Sequence, residues 1–538
     1  MSDATNDNPA TEGPPPPSGD APSPAVEKLK VKVERKARAG RRRPNLEDLD
    51  AVTIDGVECR LGQPHPKHGR LILSTRQAHP TALAVMRTCY EVDGVRMLQH
   101  YAGDWWRWQK SHYAMVEPPA IAIVVTKALR EALEVVEANN GYITKPYPVT
   151  PTTVDAIVKA MSHDAHLSVD QHPACFLGEP PADERGKPVE ATDMLCLKSQ
   201  MLHVPTGALF PATPLMFNTS ALAFDYDPDN VACPAWEAFL KSVFKDDIEQ
   251  VQTLREFMGL LLVHDTSFQK ALMIIGQPAS GKGTIAWVIE NILGKNNIAS
   301  PSTSSLSSNF GKQVLIGKSL AMLTDARFSG HDVMKAIEDI LRIVGEDPVD
   351  IDRKHRPAIT LRLGVRLLLT ANKVPNLPES SDALGRRFII LETQDTFVDR
   401  EDYGLKPRLK RELPAILNWA LDGLHRLRDR GYFVEPASTK QLKKEFIEIG
   451  QPIKRFANDC VIFTNDENDR VATSALYEKY KSWCANDESK RNAMKSTFMR
   501  DWNNTFKAFK AQQTRRIPGE AKCVNGIRLR SDYGLNDD

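Results

Sequence analysis

Residues 271–284 read Ala-Leu-Met-Ile-Ile-Gly-Gln-Pro-Ala-Ser-Gly-Lys-Gly-Thr, and this stretch decides the fold. Ala271 to Ile275 is a short apolar run of the kind a buried strand needs. Gly276 opens a turn, and a helix is expected from about Lys282. The spacing Gly276-x-x-x-x-Gly281-Lys282 is that of a Walker A loop. Its glycines let consecutive backbone N–H groups converge on phosphate oxygens, and the helix behind adds its positive end. The loop Gly276, Gln277, Pro278, Ala279, Ser280, Gly281, Lys282, Gly283 and Thr284 is therefore the expected seat of ATP. Lys282 would neutralise the β- and γ-phosphates. Gly283 stands directly after the lysine, so Thr284 is the hydroxyl expected on the Mg²⁺ side. A glycine-rich turn that holds no nucleotide is the alternative. The apolar run before and the amphipathic pattern after (Ile285, Val288, Ile289, Ile292, Leu293) weigh against it.

Downstream, Ser319-Leu320-Ala321-Met322-Leu323-Thr324-Asp325 is an apolar run ending in a carboxylate, a Walker B form that places Asp325 toward Mg²⁺. An ordinary strand end would read the same way. A third run, Val365 to Thr370, leads to Asn372, placed to orient an attacking water. Arg386 and Arg387 follow, ahead of Phe388 to Leu391. Paired arginines are commonly only solvated, but one here would suit an arginine finger acting on a neighbouring subunit's nucleotide.

The ensemble is more specific than its parts. Asp325-Ala326-Arg327, Gly345-Glu346-Asp347-Pro348, Asp352-Arg353-Lys354-His355-Arg356-Pro357, Leu369 to Pro375 and Ser381 to Phe388 together resemble a superfamily 3 helicase. The similarity is closest to the poxvirus primase-helicase-like ATPases of phages, prophages and plasmids. Weaker similarity to the helicase-associated segment of that family lies in Trp105 to Tyr113, Phe224 to Pro228, Cys233 to Trp236 and Phe257 to Gly259. The whole covers roughly residues 90–400.

The resemblance implies a hexameric ring of AAA+-like domains with ATP between subunits. It makes Asn372 sensor 1 and Arg387 the finger, with Arg386 as the fallback, and it puts Lys354 and His355 at a basic tip in the DNA channel. An ammonium and an imidazole there can both donate to passing phosphates without reading bases. Two positions depart from the pattern. Gly283 replaces a common Ser or Thr, and Ala326 follows Asp325 where a second acid would settle the general base.

The 538 residues carry 70 Lys plus Arg against 69 Asp plus Glu, a net charge of +1, so contact with nucleic acid must come from local patches. No apolar run approaches the ~18 residues needed to cross a bilayer, and the N-terminus lacks the apolar core of a signal. The expectation is a soluble protein in the cytoplasm of a bacterial host. The eight cysteines show no Cys-x-x-Cys or Cys/His ligand spacing and read as buried free thiols.

Residues 1–45 are Pro-rich. Five acids precede nine bases between Lys28 and Arg43, which suits a disordered tail, either a basic arm for phosphates or a solvated linker. The aromatics Tyr101, Trp105, Trp106, Trp108 and Tyr113 read as a short β-hairpin region and as core rather than as base-stacking groups. A helix is expected near 126–138, a loop-rich stretch over 140–220, and helices from Pro234 and over about 248–264. Past 450, helical segments (Thr473 to Trp483, Ala493 to Phe509), a strand (Gly526 to Leu529) and clustered bases suggest a winged helix, with a helical cap as the alternative. Of the Asp-x-Asp sets, Asp48/Asp50 has no apolar strand before it, while Asp225/Asp227/Asp229, around Pro228 in an expected turn, and Asp350/Asp352 lie inside the helicase-like segments, so no primase site is expected.

The expected fold class is α/β: an AAA+-like P-loop ATPase core with an α+β N-terminal helicase-associated region and a C-terminal winged-helix-like domain. The divisions are a tail (1–45), the helicase-associated region (46–255), the ATPase (256–400), a helical connector (401–450) and the winged-helix-like domain (451–538). The expected function is an ATP-dependent replicative helicase with ATP and Mg²⁺ as cofactors. Single-stranded and forked DNA, further copies of the chain and a separate primase or polymerase are the expected partners. A replication initiator or adaptor that uses ATP only to assemble, and a P-loop nucleotide kinase, are the rivals.

Overall fold

The computed structural model describes residues 51–54, 56–138, 141–308, 310–324, 333–354, 356–375, 381–449, 452–464, 466, 468–485, 493–509, 511–512 and 522–530. The expected tail, Asp48, Asp50, Asp325 and His355 lie outside them, as do Lys490, Arg491, Lys510, Arg515 and Arg516.

A strand buried from end to end must be covered on both faces, and the strand Ala271–Ile275 is. It runs parallel to Arg366–Ala371 on one side and Phe388–Glu392 on the other. Leu320–Leu323 and then Ile298–Ala299 continue the sheet beyond Arg366–Ala371, also in parallel. Five parallel strands thus form one sheet among the described residues.

Alternate side chains go to opposite layers. Leu272 and Ile274 join a cluster with Trp236, Phe239, Phe257, Ile285, Ile289, Leu413 and Leu424. Ala271, Met273 and Ile275 join another with Tyr113, Phe217, Ile337, Ile340 and Leu384. Helices therefore close both sides of a mixed α/β molecule.

The helix Pro234–Phe244 forms as its spacing predicts, burying Trp236, Phe239, Leu240, Val243 and Phe244 on one face. Its N-cap residue, Cys233, makes no side-chain cap. The Glu412 carboxylate takes over from the long helix Leu405–Arg430, accepting from Ala235 N at 3.0 Å and Trp236 N at 2.9 Å. In the next helix, Ile248–Leu260, the Asp247 side chain caps Gln250 N at 3.1 Å.

By contact the described residues separate into two compact units, one holding those up to Ala84 with those of Thr126–Thr153, the other those of Val85–Val125 and from Val154 onward. In the first, Leu133–Ala138 pairs with Gly141–Pro146 and Ile72–Leu73 over a core containing Ile54, Ile72 and Val135. Two expectations fail in this neighbourhood. The expected helix over 126–138 is a helix at Pro118–Glu131 followed by the strand Leu133–Ala138. The run Ile121 to Val125 opens that helix, and the alternation Leu133-Glu134-Val135 sits on a half-buried strand. The stretch 140–220 is not simply loop-rich. It holds the helix Pro151–Asp164 and the sheet Met194–Cys196, Gln200–His203 and Ala208–Pro211.

In the second unit Leu98–Tyr101, Asp104–Trp108 and Tyr113–Val116 form an antiparallel meander. Trp105 and Trp106 are 4% and 3% exposed, so they are core groups and not base platforms. Residues 452–530 gather around a core of their own, with Phe456, Tyr480, Phe498, Trp502 and Val524 at its centre. The helices Pro452–Cys460, Thr473–Ala485 and Lys495–Thr505 pack there beside short antiparallel strands, including Val461–Phe463 against Ile527–Leu529. Among the described residues no helix is long and apolar enough to cross a membrane.

Candidate functional site

The loop after Ile275 leaves the sheet at the C-terminal ends of the parallel strands, where backbone dipoles and loops leave room for ligands. Gly276 N donates to Ala371 O at 3.2 Å, which keeps the loop mouth beside the neighbouring strand. A Cβ on Gly276 would lie 1.8 Å from Thr393 Oγ1 and 2.8 Å from Thr393 O, so only glycine fits. Gly281 has two reasons to be glycine. Its φ is +92°, and a Cβ would meet Val243 Cγ2 at 2.7 Å. Ala279 also has a positive φ, +56°, and the turn it makes helps curl the loop into a concave cradle.

Lys282 is 7% exposed, and its ammonium folds back into the loop. It donates to Gly276 O at 2.6 Å, Gln277 O at 2.7 Å and Ser280 Oγ at 3.3 Å. The charge is thus held at the rim of a cavity of about 320 Å³ lined by residues 278–283, Thr324, Thr370 and Asn372. Thr284 follows in the first turn of the helix Lys282–Leu293. Such a site can take an anion: the helix end, the curled backbone and the lysine all present positive potential to one space.

Residues 393–397 act as a strap behind the loop, and nothing in the sequence signalled them. Thr393 Oγ1 donates to Ser280 Oγ at 2.6 Å, Phe397 N to Ala279 O at 2.9 Å and Thr396 Oγ1 to Pro278 O at 3.3 Å. Gln250, fully buried, accepts from Glu392 N at 2.7 Å and fixes the strand end from which the strap departs. The contacts join residues more than a hundred positions apart, so no local pattern announces them.

The expected site residues divide into three places. The loop, Lys282 and Asn372 meet at the cavity. Arg386 and Arg387 do not join them. They precede Phe388, which pairs with Ala271, whereas the loop follows Ile275, which pairs with Glu392. One strand length, about 16 Å, therefore lies between them along the sheet. Arg387 Nη1 instead donates to Gln269 Oε1 within the chain.

Lys354 occupies a third place, exposed at the turn of the hairpin formed by Val349–Arg353 and Arg356–Leu361. The flanking arginines turn inward. Arg353 donates to Ala102 O at 2.5 Å and to Pro357 O at 2.9 Å, and Arg356 pairs with Asp104. The turn Ala102–Asp104, a partner that sequence reading did not supply, thus seats the hairpin. Far down the chain Arg528 is bound to Asp469 at 2.7 Å.

Three families match this chain in separate stretches. Residues 85–245 match the family described as D5 N terminal like, and residues 451–526 the one described as Poxvirus D5 protein-like. Two of the three matches are thus to D5-type families, one on each side of the loop. Residues 274–387, which carry the loop, match a family of unknown function, DUF5906. Among solved structures, an apo form of the NrS-1 C-terminal region is 9% identical to this chain, with a TM-score of 0.42 and coverage of 80% of this chain and 96% of that one. A second apo structure of that region is 8% identical, with a TM-score of 0.43 and coverage of 84% of this chain and 100% of that one.

Proposed function

We propose that this chain is an ATP-dependent replicative DNA helicase of a phage, prophage or plasmid, working as a hexameric ring in a bacterial cytoplasm.

 The order of its parallel strands, with Ala271–Ile275 between Phe388–Glu392 and Arg366–Ala371, supports an AAA+-like reading of the core. The observation that carries the proposal is the separation of the two halves of the site. The cavity at Lys282 and the arginines at Arg386 and Arg387 lie a strand length apart on one sheet, so the arginines can complete such a site only on an adjacent copy.

The residues present fit a nucleoside triphosphate. The curled loop would take the β- and γ-phosphates, and Lys282, released from the carbonyls of Gly276 and Gln277, would neutralise them. Thr284 and Asp325 would hold Mg²⁺, which withdraws charge from the phosphates when bound. No group of three or more His, Cys, Asp or Glu among the described residues is arranged to hold a metal. Mg²⁺ with nucleotides typically needs only one or two protein oxygens, the phosphates and water supplying the rest. Asn372 at the strand end would order the attacking water, and Arg387 of a neighbour would stabilise the charge that develops. Lys354 and His355 would donate to the phosphates of a threaded single strand. The helices and strands past residue 452 support a winged-helix-like reading of the C-terminal domain, with forked DNA as its target and a separate primase or polymerase as a further partner.

The test is ATP turnover with and without single-stranded DNA, for the parent chain and Lys282→Ala. The expected result is DNA-stimulated turnover that the variant lacks while it still assembles. Nucleotide-dependent oligomers with negligible turnover would favour the assembly-only initiator, and phosphoryl transfer to a nucleoside monophosphate the kinase.

A further inference from the structure

The turn Gly345-Glu346-Asp347-Pro348 has no part in the chemistry proposed above, yet its backbone is unusual. Glu346 has φ +63°, and Gln269, which faces it, has φ +49°. Non-glycine residues in the left-handed region cost roughly 1 kcal/mol or more each, and they persist where surrounding contacts over-determine them. Here the contacts are specific. Gln269 Nε2 donates to Gly345 O at 3.1 Å and reaches Glu346 Oε2 at 3.5 Å, while the Thr266 hydroxyl donates to Glu346 Oε1. The other end of the same amide, Oε1, accepts from Arg387 Nη1.

The amide has only one workable orientation. A guanidinium can only donate and a carbonyl can only accept, so a flipped amide would set donor against donor and acceptor against acceptor. Gly345 is close as well: a Cβ there would come within 3.3 Å of Arg387 Nη2. One nitrogen of the guanidinium is engaged by Gln269, which leaves further N–H groups to point at an anion. Three residues after Glu346 begins the hairpin strand Val349–Arg353, which carries Lys354 at its far end.

We propose that Gln269 is the positioning residue for Arg387, and that through Gly345 and Glu346 it ties the aim of that guanidinium to the base of the basic hairpin. The proposal rests on the reading of Arg387 as a finger acting in trans. Gln269 touches no nucleotide. It fixes the direction from which Arg387 enters a neighbour's site.

Gln269→Gly tests this without straining the fold, because glycine accepts φ +49° at least as readily as glutamine. In the full-length chain with single-stranded DNA, kcat for ATP should fall about 10- to 100-fold while KM stays within about twofold, as expected when a reacting group is misaimed. The thermal midpoint should not drop. Arg387→Ala should lose at least as much turnover, and adding Gln269→Gly to it should cost nothing further, because the second change then has no guanidinium to misplace. Should the glycine variant fail to fold, Gln269→Asn keeps a residue tolerant of this φ but too short to bridge both partners, and it should give the same kcat loss. Turnover within twofold of the parent for the folded variant, or losses that multiply in the double variant, would overturn the proposal. Full turnover of Arg387→Ala alongside a dead Lys282→Ala would instead refute the finger itself, and the proposal with it. A dead Arg387→Ala beside a fully active Gln269→Gly would sink the positioning role alone.

Discussion

Replacing Gly276 with alanine asks whether the strap holds the loop. The backbone at Gly276 is not left-handed, so the added methyl acts through contact alone. It would land 1.8 Å from Thr393 Oγ1, 2.8 Å from Thr393 O and 3.1 Å from Ser280 Oγ. The hydroxyl can swing away, but only by giving up its 2.6 Å bond to Ser280, whose side chain is buried. The carbonyl cannot, because the peptides on both sides of Thr393 are tied, Thr393 N to Ile275 O at 2.8 Å and Gln394 N to Val243 O at 3.0 Å.

Forced overpacking costs about 1–3 kcal/mol, and the lost hydroxyl pair about 1 more, so Gly276→Ala should destabilise by about 2–4 kcal/mol. Urea unfolding of the full chain reads the loss, and titration with a fluorescent ATP analogue should show at least tenfold weaker binding. Thr393→Ala removes the nearest clashing atom, so the double variant should recover about 1–2 kcal/mol relative to the sum of the single changes. A Gly276→Ala protein within 0.5 kcal/mol of the parent, with undiminished nucleotide affinity, would show that the strap does not constrain the loop.

At Gly283 the opposite is expected: a Cβ there meets nothing within 4 Å, so Gly283→Ser should keep stability within about 0.5 kcal/mol and turnover within about twofold, and a tenfold loss would contradict the open geometry. Asn372→Ala should lower kcat about 100-fold with nucleotide affinity changed less than threefold, as measured by single-turnover hydrolysis; a pure affinity loss would remove Asn372 from the chemistry. His264 is half-buried, 2.8 Å from Asn218 Oδ1, and desolvation first, then the Arg366 charge, pulls its pKa from 6.5 down to about 4. The unfolded chain therefore takes up a proton that the folded one refuses as pH falls from 6.5 to 4. Full stability above pH 6.5 should decline by about 3 kcal/mol over that interval. His264→Gln should flatten this part of the pH profile of unfolding, and an unchanged slope would assign it to other groups.

What the sequence disclosed, and what it hid, follows from the range of the interactions. The strand Ala271–Ile275, the turn and the helix Lys282–Leu293 are encoded within a few residues of one another, and so was the apolar face of Pro234–Phe244. The reading failed at 118–138, where the apolar run Ile121 to Val125 fits a buried strand as well as a helix, and tertiary pairing with Gly141–Pro146 decides the following segment. Thr393, Gln250 and Gln269 carry no motif. Each is a common polar residue whose meaning comes from a partner across the sheet, namely Ser280, Glu392 and Arg387. Lys354 was legible as a basic tip, but the inward turn of Arg353 and Arg356 onto Ala102–Asp104 was not, because that seat lies some 250 positions earlier.

The parallel sheet also sets a schedule for synthesis. Ala271–Ile275 reaches its outer partner only when Phe388–Glu392 emerges, 388 − 271 = 117 residues later. Its other neighbour, Arg366–Ala371, also comes late, so at about 5–20 residues per second the ribosome leaves this apolar segment incompletely paired for roughly 6–25 s. During that window it is a sticky template for other nascent chains, so yield in a host cell should depend on holdase capacity and on translation speed through the intervening codons.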